Sequence, residues 1–353
     1  MSSLVAPPLT LAQTYKRLTI KRMIWLTILC VVLIATVITN ITIGPAGLSI
    51  PTILTGLFDP SSLSTNEAII LWQVRLPYAL MAVVVGACLG LAGAEMQTVL
   101  NNPLSSPTTL GVMHAATFGA SIAIVFKFIP FGLSENYVVP IFAFAGAICS
   151  VLVIQYFSRK FGATVDTVIL IGIAMFFALE ASISLIQFVA DSDSLQQIVF
   201  WTMGSLARAT WEKVAIVTIV LAVCLPFSIR QVWKMTALRG GEDYARSFGL
   251  SVERLRLIVL FRVSIMTAVA VAFTGVIGFV GLVGPHISRL AFGEDHRFYL
   301  PGAALSGAFI LAGASILSKS IVPGILIPDG IVTALIGIPL FLALLIKQKR
   351  TQK

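Results

Sequence analysis

Met23-Ile-Trp-Leu-Thr-Ile-Leu-Cys-Val-Val-Leu-Ile-Ala-Thr-Val-Ile-Thr-Asn-Ile-Thr-Ile43 carries no charged residue, and it follows Lys16, Arg17, Lys21 and Arg22. A helix of roughly 20 apolar residues crosses the hydrocarbon of a bilayer, because each residue rises about 1.5 Å across a layer about 30 Å thick. The stretch is therefore read as a membrane-spanning helix. No small-x-small site closes it, so it is not expected to be a cleaved signal.

Eight further apolar stretches follow, at about 77–97, 109–128, 138–157, 166–190, 212–230, 256–280, 300–318 and 329–346. Lipid offers the backbone no hydrogen bonds and none of these stretches alternates with period two, so helices are expected rather than barrel strands. The composition agrees: 58% of residues are apolar and 11% charged, with a mean hydropathy of +0.98. Soluble proteins carry about 25% charged residues. That gap excludes a soluble enzyme, a nucleic-acid binder and a disordered chain. The net charge of +9 is then read as basic residues gathered at one membrane face.

Nine spans would leave the chain ends on opposite sides. Yet the end of the chain is as basic as its start, with Lys347, Lys349, Arg350 and Lys353. The positive-inside rule wants both in the cytoplasm. The segment 282–292 is too short to span as an ordinary helix, and it is expected to return the chain and make ten. Seventeen of the 24 Lys and Arg residues then fall inside, while Arg75, Lys127, Arg208, Lys213 and Lys319 fall outside. The fold class is thus an all-α polytopic membrane protein of about ten transmembrane helices, one of them short, with both termini cytoplasmic. Residues 1–22 form a cytoplasmic N-terminal segment, 23–347 a single transmembrane domain, and 348–353 a cytoplasmic tail.

The outer stretches 44–72 and 191–211 and the inner stretch 231–256 are read as long loops. The last is the most polar part of the chain, with Arg239-Gly-Gly-Glu-Asp-Tyr-Ala-Arg246 followed by Phe248-Gly249-Leu250. Tyr244 and Ala245 share a helix face with Phe248, and Gly249 is placed to end that helix in a left-handed conformation. Two readings stay open: an amphipathic connector on the membrane surface, or a docking helix for a cytoplasmic partner. Gly86, Gly90 and Gly93, and then Gly275, Gly278, Gly281 and Gly284, follow spacings that let helices approach closely in lipid.

Ionisable residues inside a membrane are functional candidates by default; here they are Glu95, Glu180, Arg262, His286 and Arg289. Glu95 stands near the inner end of its span, where it can reach the interface. Glu180 stands near mid-span, where a cavity-facing or paired role fits. His114 is alone at the start of the third span. Three scattered histidines, and four cysteines in apolar runs without CxxC spacing, give no convergent metal ligands. No GxxxxGK[ST] occurs and no nucleophile–base arrangement stands in a polar loop, so no catalytic residue, no enzymatic activity and no cofactor of its own is expected.

Several blocks in order resemble one family. They are Arg75-Leu-Pro77, Gly86-Ala-Cys-Leu-Gly-Leu-Ala-Gly-Ala94 with Gln97, Asn102-Pro-Leu-Ser-Ser-Pro107, Trp201-Thr-Met-Gly-Ser-Leu206, Gly278-Phe-Val-Gly-Leu-Val-Gly-Pro-His286 with Arg289, and Pro328-Asp-Gly-Ile-Val-Thr-Ala-Leu-Ile-Gly-Ile-Pro339. The chain resembles permease subunits of bacterial iron–siderophore ABC importers, the FecCD-type family that also holds cobalamin and haem permeases. The resemblance implies a bacterial inner-membrane subunit that pairs with itself or with a paralogue. It also implies two cytoplasmic ATPase subunits holding ATP-Mg, a periplasmic substrate-binding protein, and a ferric siderophore as substrate.

Under that resemblance Arg239, Gly240, Glu242, Asp243, Ala245, Phe248 and Gly249 belong to the segment that couples to the ATPase. Arg75 and Lys319 occupy basic positions that meet acidic residues of the binding protein. Thr164 falls in the inner gate, at about 162–167. Tyr78 departs from the family by replacing a second arginine, and Leu326 stands where an acidic residue is usual, with Asp329 after Pro328 instead. A cobalamin or haem permease is the alternative within the family. A proton-coupled transporter using Glu95 or Glu180 is the alternative outside it, and it leaves 240–249 unexplained.

Overall fold

The computed structural model describes residues 10–45, 47–108, 110–127 and 135–351; the first nine residues of the expected N-terminal segment, and 352–353 of the expected tail, lie outside the described residues. Every regular element among the described residues is helical. Helix α1 (Leu11–Thr42) begins well before the apolar run, because Thr10 and Gln13 form a capping box. The stretch 44–72, expected as loop, is largely helical instead. Ser49 caps α2 (Ile50–Phe58), with Pro51 in its first turn. A Ser64–Glu67 capping box starts α3 (Thr65–Ala68), which continues through π-helical turns over Ile69–Arg75 into α4 (Leu76–Val99). Local caps thus outweigh the scattered Pro and Gly that suggest a loop.

The remaining elements are α5 (Val112–Phe126), α6 (Glu135–Phe161), α7 (Val165–Val189), α8 (Ser192–Thr202), α9 (Trp211–Arg230), α10 (Val232–Arg239), α11 (Glu242–Ser247), α12 (Val252–Thr274), α13 (Val280–Phe292), α14 (His296–Ser320) and α15 (Asp329–Thr351). Among the described residues seven helices are long and apolar enough to cross a membrane: α1, the continuous helix Thr65–Val99, α6, α7, α9, α12 and α14. Helix α5 and the Asp329–Ala343 part of α15 are shorter apolar helices. Helix α13 has 13 residues and coincides with the short segment expected over 282–292.

Helix α4 is the centre of the bundle, packed by α14, α12, α13 and α9. Its apolar window is 83% buried, against 17% for α1 and for α7. Small residues make this possible. A Cβ on Gly86 would strike the backbone of Gly307 and Ala308, one on Gly90 the Ala303 carbonyl, and one on Gly93 the Gly281 backbone. In lipid, where apolar burial gives no preference for helix over acyl chain, such contact is what holds helices together. The second glycine series divides: Gly281 and Gly284 lie against α4 and α14, whereas Gly275 turns the chain out of α12 at φ +74°.

Candidate functional site

Helices α10 and α11 lie at the end of the bundle where α4 and α9 finish and α12 and α14 begin, called here the basic end. Helix α11 is bounded by two glycines that a side chain would strain, Gly241 at φ +116° and Gly249 at φ +76°. Its C-terminus is a Schellman closure: Leu250 N–H donates to the Ala245 carbonyl at 3.2 Å and Gly249 N–H to that of Arg246 at 2.8 Å. Ala245 faces inward and is fully buried, while Tyr244 and Phe248 stand 54% and 64% exposed with their rings edge to face at 4.8 Å. Asp243 is fully exposed. Arg246 crosses the outer surface to Glu242 at 3.0 Å and Glu253 at 2.7 Å, and the bond to Glu253 holds its guanidinium above the usual range. The helix therefore presents an aromatic pair and an acid outward from a fixed base.

Three arginines supply that base. Arg239 donates from Nε and Nη2 to the two oxygens of Glu294, both at 3.0 Å, and from Nη1 to Asn101 Oδ1 at 2.8 Å. Glu294 also meets Arg289 Nε at 3.1 Å, and Arg289 donates to Tyr299 Oη at 3.0 Å and Gln97 Oε1 at 3.2 Å. Arg239, expected on a docking surface, is thus a tie between α10 and the α13–α14 turn. Arg256 donates to the Val99 carbonyl at 3.0 Å, to the Ala163 carbonyl and to the Glu242 carboxylate. Arg262 donates from Nε and Nη2 to Glu95 at 2.9 and 2.8 Å, and from Nη1 at 3.1 Å to Gln231, the residue capping α10. Glu95 does not reach the interface; it is fully buried and paired. Bidentate pairing of this kind is what allows a charge to be buried.

The other candidates are dispersed. Thr164 is exposed and caps α7, its Oγ accepting from Thr167 N–H at 3.2 Å. Glu180 has a half-exposed carboxylate 3.7 Å from His114 Nε2, so His114 is not alone, and the Phe176 ring lies 4.3 Å from the imidazole. His286 is half-buried on α13. Among the described residues no three His, Cys, Asp or Glu side chains converge as metal ligands would.

Arg75 and Lys319, expected as outward cations, point inward at the opposite end and are only 4% and 9% exposed. Arg75 Nη1 donates to the carbonyls of Ile41 and Thr42 at 3.0 and 2.9 Å. Lys319 Nζ donates to the Asn40 carbonyl at 2.8 Å and its side-chain oxygen at 2.6 Å. The last carbonyls of α1 have no partner within their helix, and these two cations supply one. The two departures from the family pattern are themselves partners: Tyr78 Oη donates to Asp329 Oδ1 at 2.8 Å, and Asp329 Oδ2 accepts Leu206 N–H at 2.8 Å. Sequence reasoning missed Asn40, Arg256 and Glu294 as anchors. Arg256 had one signal, a cation at the start of an apolar span, but it counts there only toward the cytoplasmic charge.

Comparison with known proteins agrees over nearly the whole chain. The FecCD transport family model matches residues 30–347. A protein of Methanocaldococcus jannaschii provisionally named an ABC transporter permease is 39% identical over 344 residues, covering 95% of this chain and 97% of the relative. The hemin transport system permease HmuU of Yersinia pestis is 35% identical over 289 residues, 81% of this chain and 86% of its own. A solved inward-facing structure, provisionally assigned to a metal-chelate type ABC transporter, superposes with a TM-score of 0.81 at 33% identity, covering 91% of this chain and 98% of that one. Match length, identity and shared architecture point one way, and the chain belongs to the FecCD transport family.

Proposed function

We propose that this ABC importer permease carries ferric siderophores across a bacterial inner membrane, driven by ATPase subunits that dock on α11. The observation that carries the coupling reading is the aromatic pair Tyr244 and Phe248, exposed on a helix whose base is tied by Arg239, Arg256 and Arg262 to α4, α12 and α14. An exposed aromatic patch on a rigid support is what a protein partner takes up. In this reading the basic end is cytoplasmic and ten helices cross. The subunit pairs with a second copy or a paralogue, and the turn at 162–167, with Thr164, forms the inner gate. A periplasmic binding protein docks at the opposite end, where Arg75 and Lys319 hold the helix ends beneath its landing surface. ATP and the loaded binding protein move the subunit between states only because each binds those states differently. A siderophore already grips its iron, so the path needs no metal ligands.

Relatives are named for hemin, molybdate, Fe(3+)-citrate and vitamin B12, so the siderophore assignment is tested against those. Uptake of radiolabelled ferric siderophore, hemin, molybdate, ferric citrate and cobalamin is measured in cells carrying this chain with and without its ATPase. Siderophore uptake that requires the ATPase supports the proposal, and preference for another cargo replaces the substrate while keeping the mechanism. The pairing of Glu180, near the middle of its span, with His114 favours one competing reading, proton-coupled transport. Uptake that persists without ATPase and follows the proton gradient would establish that reading instead.

A further inference from the structure

Arg256 is 1% exposed and is among the largest fully buried side chains of the chain. A buried cation is costly unless its donors are met, and an apolar residue would fill this space without that cost. The arginine is instead shared among three separate pieces of chain. Its Nε donates at 3.0 Å to the carbonyl of Val99, the last residue of α4; its other nitrogens donate to the Ala163 carbonyl, just before the α7 cap, and to the carboxylate of Glu242, the first residue of α11. A planar guanidinium offers donors in fixed directions, so three acceptors around it are held in one geometry; an ammonium on a flexible stem does not do this.

The three attachments differ in how firmly they are held. Val99 ends the most deeply buried span, with 83% of its window inside, so it is the fixed point. Helix α11 is a short surface helix packed on α10 and α12. Helix α7 packs chiefly on α5 and α6, and its window is only 17% buried. The guanidinium therefore joins two deeply packed supports, Val99 and its own helix α12 with 72% of its window inside, to two elements that lie nearer the surface.

We infer that Arg256 is the positioning residue through which displacement of α11 moves the first turn of α7. The inference rests on the ATPase-docking reading above, to which it adds the route. A push on α11 carries Glu242, Glu242 carries the guanidinium about its bond to Val99, and the guanidinium carries the Ala163 carbonyl. Any opening at the basic end of α7 is then set by α11 and not by general loosening of the bundle.

The test uses the full permease–ATPase complex in inside-out vesicles. Exposed Cys149 is replaced by serine, and Asp166→Cys in the exposed first turn of α7 serves as reporter. Its rate of reaction with a membrane-impermeant maleimide is measured with and without a nonhydrolysable ATP analogue, only on complexes that copurify with both ATPase subunits. Couplings between distant sites commonly amount to about 5- to 150-fold, and a nucleotide-dependent factor in that range is expected in the unsubstituted chain. In Arg256→Lys and in Glu242→Gln the factor is expected to fall to about 1. Glu242→Gln is isosteric on a side chain one-third exposed, so it gives an answer if Arg256→Lys fails to fold. A factor retained in either variant, or absent from the unsubstituted complex, overturns the relay and leaves the docking reading standing. Failure of the unsubstituted chain to copurify with any ATPase overturns the docking reading itself, and the relay with it.

Discussion

Arg262 and Glu95 meet through two parallel hydrogen bonds of 2.9 and 2.8 Å at a point where the carboxylate has no exposure at all. They stand 167 residues apart in the chain and join α12 to α4, while the third donor of the guanidinium holds Gln231 at the start of α10. Each is a buried charge satisfied by the other, and that sets what substitution does. Removing one partner of such a pair costs about 3–5 kcal/mol, whereas replacing both with apolar residues of similar size is often neutral or stabilising. Glu95→Ala is therefore expected to lower the thermal midpoint of the purified subunit sharply, and Glu95→Leu combined with Arg262→Met to recover most of it. A double variant as unstable as the single one would show that the pairing is not what the fold depends on.

The glycines of α4 give a second prediction, with an internal control. A Cβ at Gly93 would collide with backbone atoms of Gly281, which cannot move aside as a flexible side chain can. Overpacking of this kind costs about 1–3 kcal/mol, so Gly93→Ala is expected to destabilise. Gly313 lies inside α14 with nothing within 4 Å of where its Cβ would stand. Gly313→Ala is expected to stabilise by about 0.5–1 kcal/mol through restricted backbone freedom. Parallel melts of the two variants check both signs. If both move the same way, crossing distance is not the determinant.

The exposed aromatics of α11 give a third. Phe248 is largely exposed and its ring lies edge to face with that of Tyr244, itself exposed, so Phe248→Ala is expected to leave the level of folded permease unchanged. An aromatic anchor at a protein interface is worth about 2 kcal/mol or more, which corresponds to roughly 30-fold in Kd. Titration of detergent-solubilised permease with its ATPase measures this. An unaltered Kd would remove the aromatic pair from the docking surface.

What sequence shows and what it hides divide here along a physical line. Spans, the small-residue face at Gly86, Gly90 and Gly93, and the left-handed turn at Gly249 are each demanded by local geometry or by lipid, and all can be read from spacing. The capped helices of 50–58 and 65–68 cannot be read so easily, because Pro and Gly in the same stretch suggest a loop. The partners of Arg256 and Arg262 are hidden for another reason. Periodicity tells which face of a helix is turned inward, not which helix it meets, and Val99 and Glu95 lie 157 and 167 residues away. Charge counting fails similarly for Arg75 and Lys319, since it assigns a side of the membrane and says nothing about depth.

Depth is what the last prediction tests. A surface cation that meets a partner contributes to association and little to folding, and exposed ion pairs are worth about 0–1 kcal/mol. A buried cation that satisfies helix-end carbonyls does the reverse. Arg75→Met strips the Ile41 and Thr42 carbonyls of the one nitrogen, Nη1, that donates to both, and Lys319→Met strips both Asn40 oxygens of a donor as well as the cation seated 4.2 Å over the Tyr78 ring. Each buried acceptor left without a donor costs about 1–3 kcal/mol. Both variants are therefore expected to melt at lower temperature, and the fraction that stays folded is expected to bind the loaded binding protein with its original affinity. A normal melting temperature with weakened binding would place the two cations in the docking contact after all, and would require the end of α1 to open when the partner arrives.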